Sequence, residues 1–157
     1  MKILFLVVGK TDDKYILEGV DKYRNRLKHY IAFDYEEIPD LKHRKTLSEL
    51  QQKKQESDLI LGKLKAGDHI VLLDEKGKMF RSLEFANHLQ QKMNSGIKRL
   101  VFVVGGPYGF DSAIYQKAQE KVSLSKMTFS HQMIRLFFVE QVYRSMSILR
   151  NEPYHHE

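Results

Sequence analysis

The sequence predicts an α/β fold: a mostly parallel β-sheet with helices on both faces. Three observations lead there. Apolar runs at 2–8, 69–73 and 100–104 are rich in Val, Leu, Ile and Phe and too short for buried helices, as strands covered on both faces should be. Segments with apolar residues at helical spacing separate the strands, which implies crossover connections and parallel pairing. The 157 residues carry no repeat, linker or low-complexity tract, so residues 1–157 are read as one domain.

The elements follow in order. Residues 2–8 form a first core strand; Gly9-Lys10-Thr11 beyond it resembles no leader-peptide cleavage site. Residues 14–30 place Ile16, Val20, Tyr23 and Leu27 on one helix face. Residues 33–38 alternate apolar and acidic side chains, a strand with one wet face. Thr46 and Glu49 have capping-box spacing and open a polar, Lys/Gln-rich helix that Gly67 ends. After the strand at 69–73, residues 74–78 read as a turn, and Ser82 caps a helix to about Met93. The strand at 100–104 runs into Gly105-Gly106-Pro107-Tyr108-Gly109, and Asp111 caps a short helix to about Glu120. A short strand at 122–124 precedes the last helix, which starts near Ser130 or His131 and ends near Leu149. That helix is apolar nearly all round, and a small domain has little interior to hide it, so a homodimer with this helix at its interface is predicted.

Composition excludes several classes. With no cysteine there is no disulfide, thiolate metal site or cysteine nucleophile, which fits a cytoplasmic protein. No apolar run is long enough to cross a bilayer. The histidines show no metal-ligand spacing, so no metal is expected. The net charge of +6 suits an anionic partner such as RNA and equally suits a basic protein without one. Lys42, His43, Arg44 and Lys45 form a basic run that can touch phosphates or simply face solvent.

In parallel sheets ligands bind beyond the carboxyl ends of the strands. Three loops of unusual composition leave strands there, after Leu73, Val104 and Leu124. Segment 105–109 is either a tight turn or a place where a ligand nears the backbone. It is neither GxGxxG nor a Walker loop. Segment 124–129 offers main-chain groups, hydroxyls and apolar side chains that suit an uncharged ring such as adenine. His131, at a helix N-terminus, is either a neutral imidazole able to take a proton or a half-exposed cap. Arg135 lies one turn on, and Glu140 and Arg144 have the spacing of a helix-surface ion pair. The end of the chain, Tyr154-His155-His156-Glu157, crowds aromatic and titratable groups where order normally fades, which suggests a tail folded into a site.

LLDEKGK at 72–78, FVVGGPYGF at 102–110, VSLSKMTFSHQMIRLFFVEQVYR at 122–144 and the terminal NEPYHHE together resemble the SPOUT-class methyltransferases of large-subunit rRNA pseudouridine, the RlmH type. The resemblance covers the whole chain. It implies an α/β fold with a C-terminal trefoil knot, a homodimer, S-adenosylmethionine as donor, and methylation of N3 of a pseudouridine in 23S rRNA on the assembled ribosome. It also implies that Leu73, Gly105, Leu124, Ser125, Lys126, Met127, Thr128 and Phe129 hold the cofactor. His131, Tyr154 and His155 would be catalytic and Arg144 and His156 would bind substrate, with the tail completing the partner subunit's site. His156 stands where many members have Arg, and an imidazole is charged only below about pH 6.5. Two rivals use the same frame: a non-catalytic RNA-binding or ribosome-assembly module, and a Rossmann-type nucleotide enzyme.

Overall fold

The apolar runs are buried as one sheet in the computed structural model, which describes residues 1–156; Glu157 lies outside the described residues. The strands are β1 (Lys2–Val8), β2 (Ala32–Ile38), β3 (His69–Met79), β4 (Arg99–Val104) and β5 (Glu120–Ser123). Their order is β2-β1-β4-β3-β5, and every pairing is parallel. All strands therefore end on the same edge, and the loops after β1, β3, β4 and β5 open there together.

Five helices cover the sheet: α1 (Lys14–Leu27), α2 (Glu49–Lys63), α3 (Ser82–Asn94), α4 (Ser112–Lys117) and α5 (Met133–Leu149). One face packs under α1, α3 and α5, with Ile16, Val20, Phe85, Leu89, Phe138 and Val142 against Phe5, Val71 and Phe102. The other packs under α2 and α4, with Ile60 and Ile114 against Leu6, Leu72 and Val103. Helices on both faces of a parallel sheet are what the sequence predicts.

α5 lies between α1 and α3 and anchors the first layer. Its Phe138 is fully buried, with ring centroids 4.4 Å from Phe5 on β1 and 4.7 Å from Phe102 on β4. Burying one such ring stabilises the fold by about 1.5–3 kcal/mol. Gly19 of α1 lets α5 close in, because a Cβ there would meet Leu136 Cδ1 at 2.7 Å. The helix is less enclosed than its sequence suggests, since Phe137 stays exposed.

Arg135 faces inward and is 1% exposed. Its Nη2 donates to the Val8 carbonyl at 2.8 Å, its Nη1 to Thr11 Oγ1 at 2.8 Å and its Nε to the His131 carbonyl at 2.9 Å. A buried charge is tolerable only when its donors are met, and here carbonyls and a hydroxyl meet them.

Several boundaries differ from the sequence reading. α1 stops at Leu27, where 28–31 turn on bonds such as Tyr30 N–H to Leu27 O. The capping box is Ser48 with Gln51, each side chain accepting from the other's backbone N–H; Thr46 instead closes a 3-10 turn, Arg44–Thr46. Arg81, not Ser82, holds the N-cap position of α3, with its N–H donating to Glu84. α4 ends early, at Lys117. Residues 74–78 belong to β3, which carries on to Met79. α5 begins at Met133, because 131–132 form a turn and the Ser130 hydroxyl accepts the Met133 N–H at 3.2 Å.

Arg135→Met keeps the volume and removes the donors. It is expected to lower stability by about 2–5 kcal/mol, read from urea unfolding at fixed protein concentration, because the buried Val8 carbonyl and Thr11 hydroxyl and the part-buried His131 carbonyl lose a donor.

Candidate active site

The β3 ladder breaks where the site begins. Leu73 pairs with Val122, and Lys78 pairs with that same residue, so Asp74, Glu75, Lys76 and Gly77 bulge from the sheet edge. Gly77 permits this, since a Cβ there would come within 2.5 Å of the Val122 backbone nitrogen. Asp74 braces the bulge by accepting the Lys76 N–H at 2.8 Å and the Tyr115 hydroxyl. Burial, reinforced by the bond to Asp74, pushes the Tyr115 phenol up to about 12.

After β4 the chain turns at once. The Gly109 N–H donates to Gly106 O at 3.1 Å, and Gly109 sits at φ +77°, in the left-handed region that glycine adopts without strain. Gly105 lies under the Phe110 ring, which a Cβ would meet at 3.1 Å. After β5, Ser123 Oγ donates to Ser125 O at 2.8 Å and Ser125 Oγ accepts the Met127 N–H at 2.9 Å, which curls 124–129 back toward the other loops.

These three loops and His131 surround one cleft of about 590 Å³. Sites for small molecules run from roughly 300 to 1,000 Å³. Of the residues singled out in the sequence, Leu73, Gly105, Leu124, Ser125, Met127, Thr128, Phe129 and His131 line it. Lys126, in the same loop, is not part of the lining. Lys53 of α2, Asp74 and Tyr115 are, and the sequence reading gives none of them an individual site role. The rule that ligands sit at strand carboxyl ends points to the loop that holds Asp74.

His131 stands at the rim and is exposed in the protomer. Partial burial of its ring pulls the pKa below the ordinary imidazole value, Arg135 adds to this, and the Gly105 carbonyl works the other way. The ring is therefore neutral near pH 7 and able to accept a proton.

The tail residues gather elsewhere. Arg144 Nη2 pairs with Glu140 Oε1 at 2.6 Å, and its guanidinium lies 4.7 Å from the Tyr154 ring centroid. The Tyr154 hydroxyl donates to Glu140 Oε1 at 3.0 Å and meets the Tyr23 hydroxyl at 3.2 Å. Burial, then the bonds to Tyr23 and Glu140, push its pKa up strongly, so it stays a neutral phenol. His155 Nδ1 is 3.4 Å from Arg144 Nη1, and His156 is exposed. Arg144 is thirteen residues past His131, roughly 20 Å along a helix axis, and none of these four side chains lines the cleft. Among the described residues no group of three or more His, Cys, Asp or Glu could hold a metal, and no helix is long and apolar enough to cross a membrane.

Comparison with known proteins gives this geometry a lineage. Residues 1–155 match the family model described as "Predicted SPOUT methyltransferase". The chain belongs to the SPOUT methyltransferase family. Relatives match it end to end, each over 157 residues and 100% of both chains. Proteins named "Ribosomal RNA large subunit methyltransferase H" from Parabacteroides distasonis, Flavobacterium johnsoniae and Porphyromonas gingivalis are 62%, 61% and 54% identical. Membership in the SPOUT family makes the protein an enzyme with a methyl donor to accommodate, which sets aside the binding-module and Rossmann rivals.

Gly77→Ala is expected to force β5 away from β3. A stability loss of at least about 2 kcal/mol should accompany weaker ligand binding in the cleft, measured by thermal unfolding and calorimetry.

Proposed function

We propose that this protein transfers a methyl group from S-adenosylmethionine to N3 of a pseudouridine in 23S ribosomal RNA. It does so as a homodimer in the cytoplasm, acting on the assembled ribosome. In this reading the C-terminal part of the fold is a trefoil knot, and the family and the names of the relatives support the reaction class. One observation carries the rest: three strand-end loops and a neutral imidazole share one cleft, while the tail lies at the far end of α5.

What supports the donor is the lining. Leu73, Leu124, Phe129 and Ile134 give apolar walls for a purine, and the Gly105-Gly106 backbone can be approached closely. Ser125 and Thr128 add hydroxyls, and the charged groups of the lining balance, Asp74 and Glu75 against Lys53 and Lys76. When bound, S-adenosylmethionine supplies an electrophilic methyl group on sulfur. The chain's task is to align the acceptor nitrogen and take its proton. The imidazole of His131 would accept the N3 proton as the methyl group passes from sulfur to nitrogen and a neutral thioether is left behind, and its depressed pKa keeps it ready to do so. Lys126 would then contact the donor only after the loop adjusts.

The remaining roles need two protomers. Tyr154, His155, Arg144 and His156 cannot meet the cleft of their own chain across the length of α5, so they would serve the partner's. Tyr154 and His155 orient the base, Arg144 steadies charge at its carbonyls, and His156 adds an RNA contact. An interface has a surface to use: Met127 and Phe137 are exposed, and Phe137 lies tilted against Phe129, ring centroids 4.9 Å apart, beside a second groove of about 350 Å³.

His131→Ala is expected to slow single-turnover methylation of ribosomes by about 10²–10⁴-fold with donor affinity nearly unchanged. In the wild type the rate should rise with pH as His131 loses its proton, with a midpoint below the usual imidazole pKa of about 6.5. That acid limb should vanish in the variant; an unchanged rate removes His131 from the role.

Mixing separates assembly in trans from assembly in cis. Refolded together, inactive His131→Ala protomers and inactive Tyr154→Phe/His155→Ala protomers should recover about a quarter of wild-type activity, because half of the dimers carry one intact site. No recovery means that cleft and tail act within one chain.

A further inference from the structure

Glu56 is a buried acid that the reaction above does not use. It sits in the middle of α2 with 5% of its surface exposed, among the equally buried Gln52 and Ser57. Gln52 Nε2 donates to its Oε1 at 2.8 Å. Its other oxygen, Oε2, is shut off from solvent and finds no hydrogen-bond partner among the described residues. Burial raises its pKa, and nearby Asp40 adds to this against Gln52 and Arg44. Leaving a carboxylate oxygen orphaned in the interior is costly, so its retention calls for an explanation outside stability.

The explanation lies against the glycine loop. A Cβ on Gly106 would fall within 2.6 Å of Glu56 Oε1, within 2.7 Å of Cδ, and closer still to Oε2. Gly106 has no positive φ, so its backbone would accept any residue. The three nearest atoms that a side chain there would meet all belong to the Glu56 carboxylate. Lys53, one turn earlier on α2, reaches the cleft itself, so α2 backs this loop directly.

We propose that Glu56 is a positioning residue of the methyl-donor cleft: its carboxylate, packed onto Gly106, stops the Gly105-Gly106 turn from receding and so sets the depth of the cleft floor. The inference rests on the reading of this cleft as the donor site. Glu56 touches no reactant and acts through the backbone of Gly106. Removing it lets the turn sag and loosens the donor, while the proton transfer at His131 is untouched.

The test uses the full-length protein, S-adenosylmethionine in calorimetry, and methylation of assembled ribosomes. Glu56→Ala is expected to raise the donor Kd and KM about tenfold with kcat at saturating donor within about twofold. Its melting temperature should hold or rise, because an unsatisfied buried carboxylate is gone. Glu56→Gln keeps the shape and should bind like the wild type. Gly106→Ala should lose donor binding or folding, and Glu56→Ala in the same chain should restore much of what was lost, since it makes the room. A purely structural role for Glu56 would lower the melting temperature and leave KM alone, and that result overturns the proposal. It is equally overturned if Glu56→Ala leaves donor affinity unchanged, or if the double variant is no better than Gly106→Ala. Failure of the wild type to bind donor is a different result: it removes the donor reading itself and takes this inference with it.

Discussion

The structure depends on where the Arg135 guanidinium goes. One cation, sealed from water, takes the Val8 carbonyl at the end of β1, the Thr11 hydroxyl just beyond it and the His131 carbonyl ahead of α5. A guanidinium can do this because its donors fan out in one rigid plane. A lysine gathers its donors on one nitrogen and lacks that planar spread. The result is that a central strand, the loop leading into α1 and the start of the last helix share one fixed point. Gln132 repeats the tie nearby, bonding both the Lys10 carbonyl and the Asp12 N–H. The ring of His131 therefore reaches the cleft rim from a backbone that is held on both sides.

From that point α5 runs across the sheet under Phe138 and finishes among the rings of Tyr23, Tyr30, Tyr143 and Tyr154. The two ends of the helix are chemically unlike. One carries an imidazole that burial keeps neutral beside a pocket. The other carries a Glu140–Arg144 pair on which the tail is folded, with Glu152 further pinned by Tyr30. Glu152 and Tyr154 are held against their own protomer, so the chain up to Tyr154 is presented in one shape to whatever faces it. An ordered tail loses little conformational entropy on engaging a partner.

Much of the sheet was legible because doubly buried parallel strands announce themselves as unbroken apolar runs, as in 2–8 and 100–104. The three cleft loops were legible from the general geometry of such sheets together with their unusual composition. The misreadings have definite causes. Asp74-Glu75-Lys76-Gly77 has the composition of a turn, and nothing local says that Lys78 rejoins the ladder opposite Val122. Two Ser/Thr-x-x-Glu/Gln frames lie two residues apart, and only the backbone could choose Ser48 over Thr46. Arg135 and Glu56 look like surface charges, since helical spacing does not reveal that an inward position will hold an ion whose partners lie on distant loops. The separation of tail from cleft is likewise a matter of path length along α5, which residue types alone do not convey.

The all-parallel sheet has an evolutionary consequence. The three loops around the cleft leave different strands but lean on one another, with Tyr115 bonded to Asp74, Phe110 over Gly105 and Gly77 against Val122, so the cleft segments can change only together. The tail hangs from a single helix end and touches none of those segments. On the two-protomer assembly proposed above, residues at the end of the chain could therefore be exchanged while the cleft lining is inherited as a unit.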